Sequence, residues 1–88
     1  MLGAEHPDTV RSMANLAGTY QNQGKLNEAE LLQVQVMGMS KELLGAEQPF
    51  TLRRMMNLAS TYENQGKWNE AEQLNIEVMN MKERKGRA

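Results

Sequence analysis

Apolar residues along this chain recur at helical spacing. Met13, Leu16, Ala17 and Tyr20 fall at i, i+3, i+4 and i+7, and Met55, Leu58, Ala59 and Tyr62 repeat the stripe farther on. Pro7 and Pro49 have a fixed φ suited to the first position of a helix, and each biases its preceding residue, His6 or Gln48, toward extended backbone. Gly24 and Gly66 punctuate the far ends, which predicts first helices near 7–23 and 49–65. The segment Asn27-Glu28-Ala29-Glu30 returns as Asn69-Glu70-Ala71-Glu72, where Asn is placed to cap an orphan amide and the Glu three later to reach back. Second helices are therefore predicted at 27–44 and 69–85, with inward stripes of Ala29, Leu32, Val36, Met39 and Leu43, and of Ala71, Leu74, Val78 and Met81. Leu26 and Leu31 are placed for a hydrophobic staple, for which the second copy has Trp68 and Gln73. Gly45 stops the second helix before the chain re-enters at Pro49.

The two halves are copies. A shift of 42 residues aligns Leu2–Leu43 with Leu44–Lys85, and 25 of the 42 aligned pairs are identical. A period of this length marks a solenoid unit that buries its apolar face against the neighbouring copy. The predicted fold is all-α: one domain over residues 1–88, an α-α superhelix of four helices, with repeat one at 2–43 and repeat two at 44–85.

Composition narrows the chemistry. With no Cys and a single His, His6, the chain has neither disulfides nor the inventory for a thiolate or histidine-rich metal site, and no cofactor is expected. Ten basic and eleven acidic residues leave a net charge of -1, which provides no field to draw the chain to nucleic acid or to an anionic bilayer. Apolar runs are too short to span a membrane and the first residues carry no secretory signal, so a soluble, cytoplasmic protein is expected. No Ser-His-Asp or Cys-His set can be assembled and no glycine-rich phosphate loop is present, which argues against an enzyme. Glu28, Glu30, Glu70 and Glu72 are accounted for by the positive end of a helix, His6 by a turn, and Lys82, Arg84, Lys85 and Arg87 by a helix C-terminus. Of the seven methionines after Met1, Met13, Met39, Met55 and Met81 fall on the inward stripes, which leaves Met37, Met56 and Met79 as candidate surface anchors; Phe50 is a further exposed apolar candidate.

At Asn15-Leu16-Ala17, Tyr20, Gln23-Gly24-Lys25 and Glu28-Ala29-Glu30, and again at Asn57-Leu58-Ala59, Tyr62, Gln65-Gly66-Lys67 and Glu70-Ala71-Glu72, the chain resembles the tetratricopeptide repeat. The 42-residue period and the segment Leu2–Thr9 are similar to the repeats of kinesin light chains, and similar arrays occur at the C-terminal ends of fungal and bacterial nucleotide-binding receptor-like proteins. The second copy departs from that segment, with Gln48 and Phe50 where His6 and Asp8 stand. Lys41 and Glu83 occupy the place of the proline that closes a 34-residue repeat, which implies a longer second helix. Ala17 and Ala59, with Ala29 and Ala71, let paired helices approach closely, and Tyr20 and Tyr62 fill the space beside them.

The resemblance implies that the first helices line a concave groove for a partner protein or peptide. Arg11, Asn15, Gly18 and Asn22 lie off the core stripe on one helix face, and Arg53, Asn57, Ser60 and Asn64 repeat them. Asn15 and Asn57 match positions from which such grooves hydrogen-bond a peptide, and Arg11 or Arg53 suits an acidic side chain. The expected function is thus a non-catalytic protein-interaction scaffold, with homotypic assembly as the alternative. Two repeats leave two uncapped ends, so the chain is expected to self-associate as a homo-oligomer or to be a piece of a longer array. Exchange of helices across Leu44–Pro49 and end-to-end stacking are both routes to association.

Overall fold

In a computed structural model, which describes residues 7–87, the chain forms four helices. They are α1 (Pro7–Asn22), α2 (Leu26–Leu43), α3 (Pro49–Asn64) and α4 (Trp68–Arg87). No strand occurs among the described residues. Within each copy the helices pack as a hairpin, α1 on α2 and α3 on α4, and α2 also packs on α3 to join the copies. The result is a slab with extents of 37 × 36 × 15 Å. His6 and the segment Leu2–Glu5 lie outside the described residues.

The turn inside each hairpin is built the same way twice. Gly24 and Gly66 each sit at φ 78°, a left-handed conformation that only glycine adopts without steric cost. Around them Lys25 N–H reaches Tyr20 O at 2.9 Å and Gly24 N–H reaches Gln21 O at 3.0 Å, with Lys67 and Gly66 bonding Tyr62 O and Glu63 O in the same manner. This double bond pattern satisfies the last carbonyls of the first helix.

The expected asparagine caps do not form. Lys25 is already the N-cap of α2, with no side-chain bond, and its carbonyl accepts from Ala29 N–H at 3.0 Å. The glycine turn reverses the chain within three residues, so the next helix starts at Leu26 and Asn27 falls inside it. The proposed Leu26–Leu31 staple fails for the same reason: Leu31 points outward, 69% exposed. At the start of α3 the reading from sequence is met, with Pro49 at the first positions behind an extended Gln48 (φ -72°, ψ 145°).

Two apolar clusters form the core. Leu52, Met55, Leu58, Ala59, Leu74, Val78 and Met81 fill the space between α3 and α4, with Met37, Ala46 and Tyr62 packed on them. Val10, Ala14 and Val36 make a smaller cluster, flanked by Met13, Met39 and Phe50. The inward stripe of the second copy is buried apart from the half-buried Tyr62, whereas in the first copy Leu16 and Leu43 are exposed, contrary to expectation. The cause is position in the array: Leu58 is covered because repeat one lies beside it, and nothing among the described residues covers Leu16. Conversely, Ala14 is buried under α3 while its counterpart Met56 is exposed.

Candidate functional site

The small side chains of α1 set the spacing of the site. Ala14 and Ala17 are buried, and with Gln33, Val36, Arg54 and Asn57 they enclose a gap of about 10 Å³ between the copies. With only methyl groups on that side of α1, the α3 side chains can close over it. Arg11, Asn15 and Asn22 are exposed on α1, and Gly18 is half-buried. On α3, Arg53 and Asn64 are exposed, while Asn57 and Ser60 are half-buried against the neighbouring copy.

The two runs are tied by a relay of hydrogen bonds. Thr61 Oγ1 donates to Gln33 Oε1 at 2.7 Å, Gln33 Nε2 donates to Gln21 Oε1 at 3.2 Å, and Gln21 Nε2 donates to Ser60 Oγ at 3.4 Å. The chain of donors therefore leaves α3, crosses α2 and α1, and returns to α3. Thr61 and Gln33 are buried, and a buried amide left without partners costs about 1–3 kcal/mol, so the relay fixes the register of the copies as well as joining them. One consequence falls on a predicted site residue: Ser60 is engaged by Gln21.

Further ties lie along the same seam. Asn27 Oδ1, expected as a cap, accepts from Gln65 Nε2 at 3.0 Å. Glu30, expected to serve the helix end, accepts from Lys67 Nζ at 2.8 Å. That hydrogen bond holds the Glu30 carboxyl below its ordinary range and raises the Lys67 ammonium above its own. Lys41 Nζ meets Glu77 Oε2 at 3.0 Å, joining α2 to α4.

The charge on the α1 and α3 faces is mainly basic. Arg11 approaches Asp8 at 3.7 Å in an exposed pair. Arg53, its counterpart in the second copy, is also exposed, and Arg54 is half-buried with its guanidinium 5.0 Å from the centre of the Phe50 ring. Burial, and then repulsion from Arg53, lowers the pKa of Arg54, and its buried Nε has no hydrogen-bond partner. Phe50 is thus not the exposed anchor expected of it: it is half-buried, packed on the Val10 cluster beneath Arg54. Arg54 was not among the candidates from sequence, although a signal existed. Asp8 and Ser12, four residues apart, change together to Phe50 and Arg54 in the second copy, at the helical spacing that lets two side chains stack.

The face so built offers amide donors and acceptors, guanidinium groups and small residues, which suits an extended backbone and a carboxylate. No group of three or more His, Cys, Asp or Glu able to hold a metal ion occurs among the described residues. No helix among them is long and apolar enough to cross a membrane.

Comparison with known proteins agrees with this architecture. The tetratricopeptide repeat model matches residues 9–50 and 51–85. No curated protein matches. Among solved structures, a Podosopora anserina protein described as kinesin light chain-like, with nearly identical TPR-like repeats, is 32% identical with a TM-score of 0.79. A point variant of it is 31% identical with a TM-score of 0.80. Each alignment covers 99% of this chain and 41% of the other, so the chain spans about two-fifths of the length of these relatives. Tetratricopeptide repeats generally mediate protein–protein interaction. With two helix-turn-helix copies, a glycine turn in each and a family match over both, the chain belongs to the tetratricopeptide repeat family.

Proposed function

We propose that this chain is a non-catalytic scaffold whose α1 and α3 faces together bind a peptide segment bearing an acidic side chain. The observation that carries the reading is the arginine arrangement: Arg54 is half-buried, stacked on Phe50 and without a carboxylate partner among the described residues, next to Arg53, whose counterpart on α1 is Arg11. An incoming carboxylate would offset the repulsion between neighbouring guanidinium groups, and a bidentate Arg–carboxylate pair supplies direction as well as energy. Asn15 and Asn57 present amides beside these cations, where they can pair with peptide backbone. Gly18 leaves open space at the centre of the α1 face, since a Cβ there would meet no atom within 4 Å.

Selection of peptides from a random display library on the wild-type chain tests this. The expected outcome is enrichment of sequences with Asp or Glu, whose binding falls at least about tenfold in Asn15→Ala/Asn57→Ala and in Arg54→Gln, a loss of about 1.4 kcal/mol or more. Selected peptides indifferent to these changes would overturn it.

A second reading, homotypic assembly, is favoured by a separate observation: large apolar side chains are exposed at both ends of the stack, Leu16 at one and Met56 and Met79 at the other.

A further inference from the structure

We propose that the two outer flanks fit each other, so that a second copy of this chain stacks head to tail on the first in the register of the internal α2–α3 seam. The inference rests on the homotypic reading and specifies its geometry. The seam between the repeats is a worked example of the interface, because the sequence carries both of its surfaces twice. One surface, on α2, is repeated on the open side of α4; the other, on α3, is repeated on the open side of α1.

The seam partners reappear in the 42-residue shift. Lys67 and Glu30 pair across the seam at 2.8 Å, and their counterparts Lys25 and Glu72 are both exposed at the open ends. Gln65 donates to Asn27 at 3.0 Å, and Gln23 and Asn69 are likewise exposed. Met37 packs on the cluster that contains Leu58, and their counterparts Met79 and Leu16 are 63% and 46% exposed. The buried bond from Thr61 to Gln33 has Thr19 and Asn75 in its place, one methylene shorter; the Thr19 hydroxyl donates to Asn15 O at 3.1 Å in the single chain.

The largest change is at the ring that plugs the seam. Phe50 shares a depression with Val10, Arg11 and Ser40. On the open flank of repeat two the equivalent depression is lined by Leu52, Arg53 and Lys82, and the residue that would enter it from the next copy is Asp8 in place of a phenylalanine. An acid thus replaces the ring where Lys82 replaces Ser40, so the substitutions at this point are complementary in charge. Asp8, which already approaches Arg11, would bridge to Arg53 and Lys82 of the neighbouring copy. The two surfaces differ, so the contact is heterologous and does not close at two copies.

Light-scattering mass across a concentration series tests the geometry, with helix content checked by circular dichroism for each variant. Wild type is expected to grow past two copies as concentration rises. Leu16→Glu blocks the α1 flank and Met79→Glu the α4 flank, so each alone should remain a monomer, while their equimolar mixture should form a dimer and stop there. Lys25→Glu and Glu72→Lys should each weaken association about threefold or more, and the double exchange should restore it. A wild type that stays monomeric at all concentrations overturns both the stacking and the homotypic reading. A dimer that persists in Leu16→Glu alone and in Met79→Glu alone overturns the stacking while leaving homotypic assembly intact.

Discussion

Gln33 is the pivot of the seam, since its buried amide accepts from Thr61 and donates to Gln21. Replacing it with Leu strands the Thr61 hydroxyl, and we expect a loss of about 1–3 kcal/mol in urea unfolding at neutral pH. The Lys67–Glu30 pair adds a pH signature. The folded pKa of Glu30 lies below its ordinary 4.5, so its stabilisation is present above that value and is lost as pH falls through the folded pKa. The folded pKa of Lys67 lies above 10.5, so its contribution is present below that value and is lost as pH rises through the folded pKa. The stability difference between wild type and Glu30→Gln should therefore be largest between these limits and shrink on either side, as measured by urea unfolding across pH. None of these roles could be read from the residues alone. Asn27 and Glu30 have the types and spacing of a capping box, and only the adjacent copy reveals that their side chains face Gln65 and Lys67.

At the scale of elements, glycine has opposite effects at two positions. Gly66 holds a left-handed turn between α3 and α4, and Gly66→Ala should cost about 1–2 kcal/mol although no neighbour blocks the new methyl group. Gly38 lies exposed inside α2 with nothing within 4 Å of an added Cβ, and Gly38→Ala should raise stability by about 0.5–1 kcal/mol. Thermal or urea melts of the two variants check both signs. The elements themselves were legible because proline, glycine and the apolar period act locally. Burial was less so: Leu16 and Leu58 occupy the same place in identical Asn-Leu-Ala segments, yet one is 46% and the other 1% exposed. A stripe drawn from one helix says which face is apolar, while the neighbours in the stack decide whether that face is covered.

At the scale of the molecule, the four described helices expose two different apolar flanks and a polar, arginine-bearing face between them. Stacking through the ends would link stability to concentration, so the wild-type melting temperature should rise with protein concentration and that of Leu16→Glu should not, by scanning calorimetry. The face of α1 and α3 shares Arg53 with the open flank of repeat two, and the exposed side chains Leu31, Val34 and Ile76 on α2 and α4 provide its control. Backbone amide chemical-shift mapping with a selected acidic peptide, performed on Leu16→Glu to keep a single chain, tests the peptide-binding claim most directly. The perturbed amides are expected to cluster at Asn15, Gly18, Arg54 and Asn57. Perturbations centred instead on Leu31, Val34 and Ile76 would contradict it.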